Sequence, residues 1–190
     1  MKEIVPIVLA IASFSLSLLT LWITQFRRGR LRMTQPTLLC LKREKPTGTP
    51  KIFLRTLLYT TASKGRVIEA MFLRVHQPGG TYVFDFWGHT ESGKLTLGSG
   101  LFVGQTGIAS DHHFNPRHGS EGFLFVNGQY RIEVFAAIVG SSAPRKLKEI
   151  HFDLDGQQAA ELIQITDLEL FLFWNSDTQT YEGSLERAPR

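Results

Sequence analysis

GFLFVNGQYRIEVFAAIVGSSAPRKLKEIHFDL, residues 122–154, decides the fold class. In its middle arm Tyr130, Ile132, Val134, Ala136 and Ile138 recur at every second position. In its last arm Lys148, Ile150, Phe152 and Leu154 alternate with Leu147, Glu149, His151 and Asp153. A period of two sends successive side chains to opposite faces, so each arm reads as a strand with one face in a core. Asn127-Gly128 between apolar runs suits a type I′ turn and predicts a hairpin joining 122–126 to the strand that follows. GSSAPR, residues 140–145, is the next loop.

The pattern continues in both directions. Asp155-Gly156 marks a turn and QQAAELIQ (157–164) a short helix, followed by strands LELFLFW (168–174) and TYEGSLE (180–186) around an NSDTQ turn. Upstream, TLLCLKRE (37–44), KIFLRTLLYTT (51–61), RVIEAMFLRV (66–75), TYVFDFWG (81–88) and KLTLGSGLFVG (94–104) read as extended segments separated by Gly, Pro and polar turns. The run 51–61 is expected to pair with 66–75 as a hairpin across SKG. Tyr82, Phe84 and Phe86 are expected on one face, with Val83, Asp85 and Trp87 on the other. Eight to ten strands without a long amphipathic helix predict a mainly β chain, an antiparallel β-sandwich. Immunoglobulin-like, C2-like and jelly-roll topologies all fit. The aromatic residues on both faces of 82–87 and of 171–174 fit burial of both faces, or a face left for a partner.

Ahead of the β pattern, residues 4–26 (IVPIVLAIASFSLSLLTLWITQF) carry no charge. A helix of about 20 apolar residues crosses the hydrocarbon core, so this run predicts a single transmembrane helix. Pro6 falls in the first turn, where its missing N–H costs little. Ser13, Ser15, Ser17 and Thr20 either bond back to helix carbonyls or mark a face for another helix. Trp22 suits the membrane interface, as do Arg27, Arg28, Arg30 and Arg32, which follow within six residues. That arginine cluster places the N-terminus outside and the remainder in the cytoplasm. A cleaved secretory signal is the competing reading; the weak basic start, the long apolar run and the arginines beyond it count against it. The expected division is an anchor over 1–26, a basic linker over 27–35, a sandwich domain over 36–186 and a tail over 187–190.

The 190 residues carry a net charge of +4, with a pI near 9.4. The surplus lies in the arginine cluster, because from Met33 onward 16 basic residues face 16 acidic ones. A nucleic-acid-binding domain needs basic charge to displace counterions from phosphates, so no nucleic-acid partner is expected. The single cysteine, Cys40, rules out an intramolecular disulfide framework and a Cys-rich metal site. Its apolar strand predicts a buried, inert thiol.

The stretch 98–122, GSGLFVGQTGIASDHHFNPRHGSEG, combines six glycines with half of the histidines and reads as a long irregular loop. Loops on a rigid sandwich commonly carry recognition, so Asp111, His112, His113, Phe114, Arg117 and His118 are the candidate binding residues. Imidazole and carboxylate are also metal ligands, which makes a metal-binding domain or metal-dependent enzyme the alternative reading of 98–122. Adjacent residues of an extended segment point apart, however, so His112 and His113 do not naturally share an ion. The glycines match neither a dinucleotide fingerprint nor a P-loop. Asp153 and Asp155 at a strand end supply too few oxygens for calcium. No G-x-S-x-G elbow occurs, and no catalytic residue or cofactor is assigned. The sequence therefore predicts a membrane-anchored, non-enzymatic module, with the lipid bilayer and a protein partner or second copy as its associates.

Overall fold

Alternating side chains build two antiparallel sheets that close on one core. The computed structural model describes residues 4–26, 29–91, 94–98, 100–116, 122–165 and 167–187. The larger sheet runs β13 (Thr180–Arg187), β12 (Leu168–Asn175), β2 (Leu38–Glu44), β3 (Thr49–Thr60), β9 (Ile108–Asn115), β6 (Phe86–Glu91) and β7 (Lys94–Leu97), with β1 (Leu31–Met33) also paired to β3. The smaller runs β11 (Arg145–Leu154), β10 (Gly128–Ile138), β4 (Arg66–Gln77) and β5 (Gly80–Phe84), and β8 (Leu101–Val103) joins β4. The fold is the expected antiparallel sandwich behind one N-terminal apolar helix.

The alternation in β10 and β11 is realised directly. Tyr130, Ile132, Val134, Ala136, Ile138, Ile150, Phe152 and Leu154 are all buried, and Tyr130 pairs with Phe152 and Ile132 with Ile150. The Tyr130 and Phe152 rings stack at 5.0 Å. Each Ile, Val, Leu or Phe side chain so placed contributes roughly 1.5–3 kcal/mol.

The expected hairpin at Asn127-Gly128 does not form. β10 pairs with β11 and β4, while residues 123–126 lie outside any strand. The Tyr130 hydroxyl takes both backbone groups of Val126, accepting from its N–H at 2.8 Å and donating to its carbonyl at 2.9 Å. A ladder partner would need those same groups. Phe123 and Phe125 instead plug the end of the core, with Phe123 edge-on to Tyr82, Phe84 and Phe125.

The 51–61 and 66–75 segments are strands, but they do not pair either. β3 belongs to the larger sheet and β4 to the smaller, so the connection over 61–65 turns the corner between layers. Both strands carry a full buried face, Ile52, Leu54 and Leu58 on β3 and Met71, Leu73 and Val75 on β4, and opposed sheets let both face inward. A second crossing falls at Asp85, between β5 and β6. It resets the alternation, so Phe84 and Trp87 are both buried while Val83 and Phe86 are exposed.

β1 and β2 run along β3 as one interrupted strand. Between them Thr34 and Thr37 still donate to Leu57 and Arg55, and Pro36, which has no N–H to give, occupies the gap. The short helix α2 (Gly156–Gln164) starts on a capping box in which Asp155 accepts from the Gln158 N–H, and it buries Ala159 and Leu162. Asp155 thus serves as a helix cap.

α1 (Ile4–Leu21) continues as a wider helical turn over Trp22–Phe26. The stretch Ile4–Thr24 is long and apolar enough to cross a bilayer, and none of it is buried against the sandwich. Ser17, Thr20 and Thr24 donate to the carbonyls of Ser13, Leu16 and Thr20, so these hydroxyls are satisfied within the helix.

Candidate functional site

The segment read as an irregular loop contains two strands. β8 and β9 occupy 101–103 and 108–115, and β9 lies inside the larger sheet between β3 and β6. Its alternation sorts the candidate residues by parity. His112 and Phe114 are fully buried, while Asp111 and His113 point to the outer face. The two histidines therefore do diverge. Arg117 and His118 lie outside the described residues.

Each placed candidate already has a structural task. Arg55 of β3 donates to both Asp111 carboxylate oxygens, at 2.7 and 3.1 Å. His112 Nδ1 accepts a hydrogen bond from Trp87 Nε1 at 3.3 Å, which assigns the ring proton to Nε2. His89 faces His112 across the ladder and stacks on Trp87 at 5.1 Å. The orphaned atoms of this group are His112 Nε2 and His89 Nδ1. Burial, then repulsion from His89 and His113, pushes the His112 pKa down to about 3. His113 meets the Phe53 ring edge-on at 5.0 Å, and burial followed by Lys51 lowers its pKa to about 4. Both imidazoles are neutral at physiological pH.

Among the described residues no three His, Cys, Asp or Glu side chains converge on a common point. Cys40 is buried, and burial, reinforced by Glu169, raises its thiol pKa to about 12. A thiol held protonated in this way is a poor nucleophile.

The outer surfaces are more distinctive. The two edges of the larger sheet differ in character: β13 carries Glu182, Glu186 and Arg187, whereas β7 carries Leu95 and Leu97 and has all four residues exposed. Leu95 and Leu97 are 47% and 59% exposed and lie over Gly88 of β6, beside Phe86 at 50%. The sequence reading missed this patch, because Lys94-Leu95-Thr96-Leu97 has the alternation of a half-buried strand and only the topology leaves it uncovered. At the end of α1, Trp22 is exposed, as are Arg30 and Arg32; Arg27 and Arg28 lie outside the described residues.

No protein-family model and no curated protein matches the chain. Among solved structures it is similar to the CooA pilin subunit from enterotoxigenic Escherichia coli, at 10% identity over 66% of this chain and 98% of that one, with a TM-score of 0.33. It is also similar to the alkylpurine DNA glycosylase AlkC of Pseudomonas fluorescens bound to DNA containing an abasic site analog, at 16% identity over 73% of this chain and 33% of that one, with a TM-score of 0.37. Scores at this level fall short of a common fold.

Proposed function

We propose that the chain is a single-pass membrane protein whose non-enzymatic sandwich binds a protein partner, or another copy of itself, at the cytoplasmic face of the membrane. The division into anchor (1–26), basic linker (27–35), sandwich (36–186) and tail (187–190) belongs to this reading. So does the orientation, which rests on Arg27, Arg28, Arg30 and Arg32 following the span.

The observation that carries the reading is the open β7 edge. An unpaired edge strand presents a row of N–H and C=O groups to a partner strand, and natural edges are guarded by charge, proline or bulges. β13 and β11 carry such charges; β7 has only Lys94 beside two exposed leucines. Strand addition there would supply main-chain hydrogen bonds, with Leu95, Leu97 and Phe86 giving side-chain selectivity. The outward pair Asp111 and His113 lies two strands in from this edge, on the same face as Gly88 and Leu97.

The test is size and cross-linking of the full chain in mild detergent, for the native protein and for Leu95→Lys/Leu97→Lys. The reading expects an assembly or captured partner that the double variant loses while keeping its β-sheet circular dichroism. An exclusively monomeric native protein without cross-links, or an unaltered assembly in the variant, overturns it.

A further inference from the structure

The folded domain carries a second set of basic residues beside the segment that follows the apolar helix. Three contacts hold its β3–β4 corner to the segment that leaves the span. Arg66 Nε donates to the Gly29 carbonyl at 3.0 Å, the Thr61 N–H donates to the Arg30 carbonyl at 3.1 Å, and the Arg30 N–H donates to Thr61 Oγ1 at 2.9 Å. The β10–β11 turn lies at this same end, where the Val139 N–H bonds the Val67 carbonyl. Two shallow hollows flank Arg145 there. One, of about 420 Å³, lies between Arg66, Arg145 and the turn residues Gly140, Ser141, Ala143 and Pro144. The other, about 120 Å³, is lined by Arg30, Arg32, Arg145 and Lys146 with Leu31 and Leu147.

Among the described residues no carboxylate lines either hollow. The Arg30, Arg32 and Arg145 guanidinium groups have no hydrogen-bond or ion-pair partner among the described residues, whereas Lys146 is held by Glu133 and Glu149. Beside this basic rim the smaller sheet and the turn after β10 set three apolar side chains outward: Val67, Phe102 at 62% exposed and Val139 at 56%. Val67 and Phe102 face each other in register, and the Phe102 ring packs over Gly65. Glu69 is the nearest acidic position on that strand.

We infer that this end of the sandwich is a docking surface for anionic phospholipid, with headgroup phosphates in the hollows around Arg145 and the Val67, Phe102 and Val139 side chains entering the interfacial layer. The occupant follows from position and charge. The surface is continuous with the span and joined to it within a few residues, and unpaired guanidinium groups match phosphate as fork-shaped donors. Apolar side chains beside basic ones are what a headgroup–acyl boundary accommodates. The inference rests on the anchor reading and extends it from the linker arginines to the folded domain.

The test uses the full chain in nanodiscs of phosphatidylcholine alone and in discs with phosphatidylglycerol added at about a third of the lipid. Co-elution with the discs is scored first and independently; a chain that stays out of both disc types refutes the anchor and with it the docking. With the chain inserted, backbone hydrogen exchange over 100–106 and 139–146 should slow in anionic discs. Arg32→Gln/Arg145→Gln, which removes two groups that make no side-chain bond in the fold, should reverse that protection by about thirtyfold, at roughly 1 kcal/mol for each surface charge. Equal exchange in the two disc types, or anionic protection untouched by the double variant, overturns the inference. Equal slowing by inorganic phosphate in neutral discs also overturns it and assigns the hollows to a soluble anion.

Discussion

Replacing His112 by Asn should flatten the acid limb of the stability curve. His112 is fully buried, and its pKa falls from 6.5 to about 3 in the fold. As pH drops below 6.5 the unfolded chain takes up a proton that the folded chain refuses, so stability is complete above that value and is lost on acidification. With the folded value well below 5, the loss at pH 5 is set by the distance from 6.5, at about 1.36 kcal/mol per unit. That gives about 2 kcal/mol from this one ring, a sizeable share of the 5–15 kcal/mol that holds a typical domain. Asn keeps an oxygen acceptor near Nδ1 for the Trp87 N–H and cannot titrate. Urea unfolding in non-ionic detergent, followed by tryptophan fluorescence at pH 7.5 and pH 5.0, measures the difference. The variant starts from lower stability, because it leaves part of the ring volume empty, so the comparison is between the two pH-dependent losses. The native protein should lose about 2 kcal/mol more than the variant. Equal losses would refute the assignment of acid sensitivity to His112.

Tyr130→Phe removes the hydroxyl that satisfies both backbone groups of Val126, so it should cost about 1–3 kcal/mol in urea unfolding and speed hydrogen exchange at 123–126 ahead of the sheets. Unchanged exchange in that segment would show that Phe123 and Phe125 hold it unaided. Cys40, with its thiol pushed up to about 12, should resist iodoacetamide at pH 8 in the folded protein and react fully in urea; rapid labelling without denaturant would contradict its burial.

The parts of the fold that could be read in advance are those where burial and alternation coincide. β10 places Tyr130 to Ile138 and β11 places Ile150 to Leu154 as alternating apolar faces against the core, and the 175–179 turn joins β12 to β13 as its composition suggests. Pairing was less legible, because a strand's pattern gives its inward face without naming its neighbour. That is why β3 and β4 were expected as a hairpin although they face each other from opposite sheets. β9 was hidden for a different reason. Ser110 and His112 are polar types on its buried face, so Ser-Asp-His-His presents no contrast between inside and outside. The ring of His112 behaves as a core side chain stacked near Trp87 at 6.1 Å, and only the three-dimensional neighbourhood reveals it. Phe86 was expected on the same face as Phe84 because the reversal at Asp85 leaves no mark in the alternation itself.

The hydrogen bonds that join Gly29 and Arg30 with Thr61 and Arg66 have a mechanical consequence. They land on the corner where the chain passes from one sheet to the other, so residues 29–30 are held to both layers at one joint. A tether of loose residues would let the sandwich tumble and sample any heading. A bonded joint instead fixes the heading of residues 29–33 against the corner, and the Ser63 hydroxyl adds a bond to the Thr24 carbonyl at the helix end at 3.4 Å. Load arriving along the chain is shared between Thr61 at the end of β3, Arg66 at the start of β4 and the β1–β3 ladder that begins at Leu31.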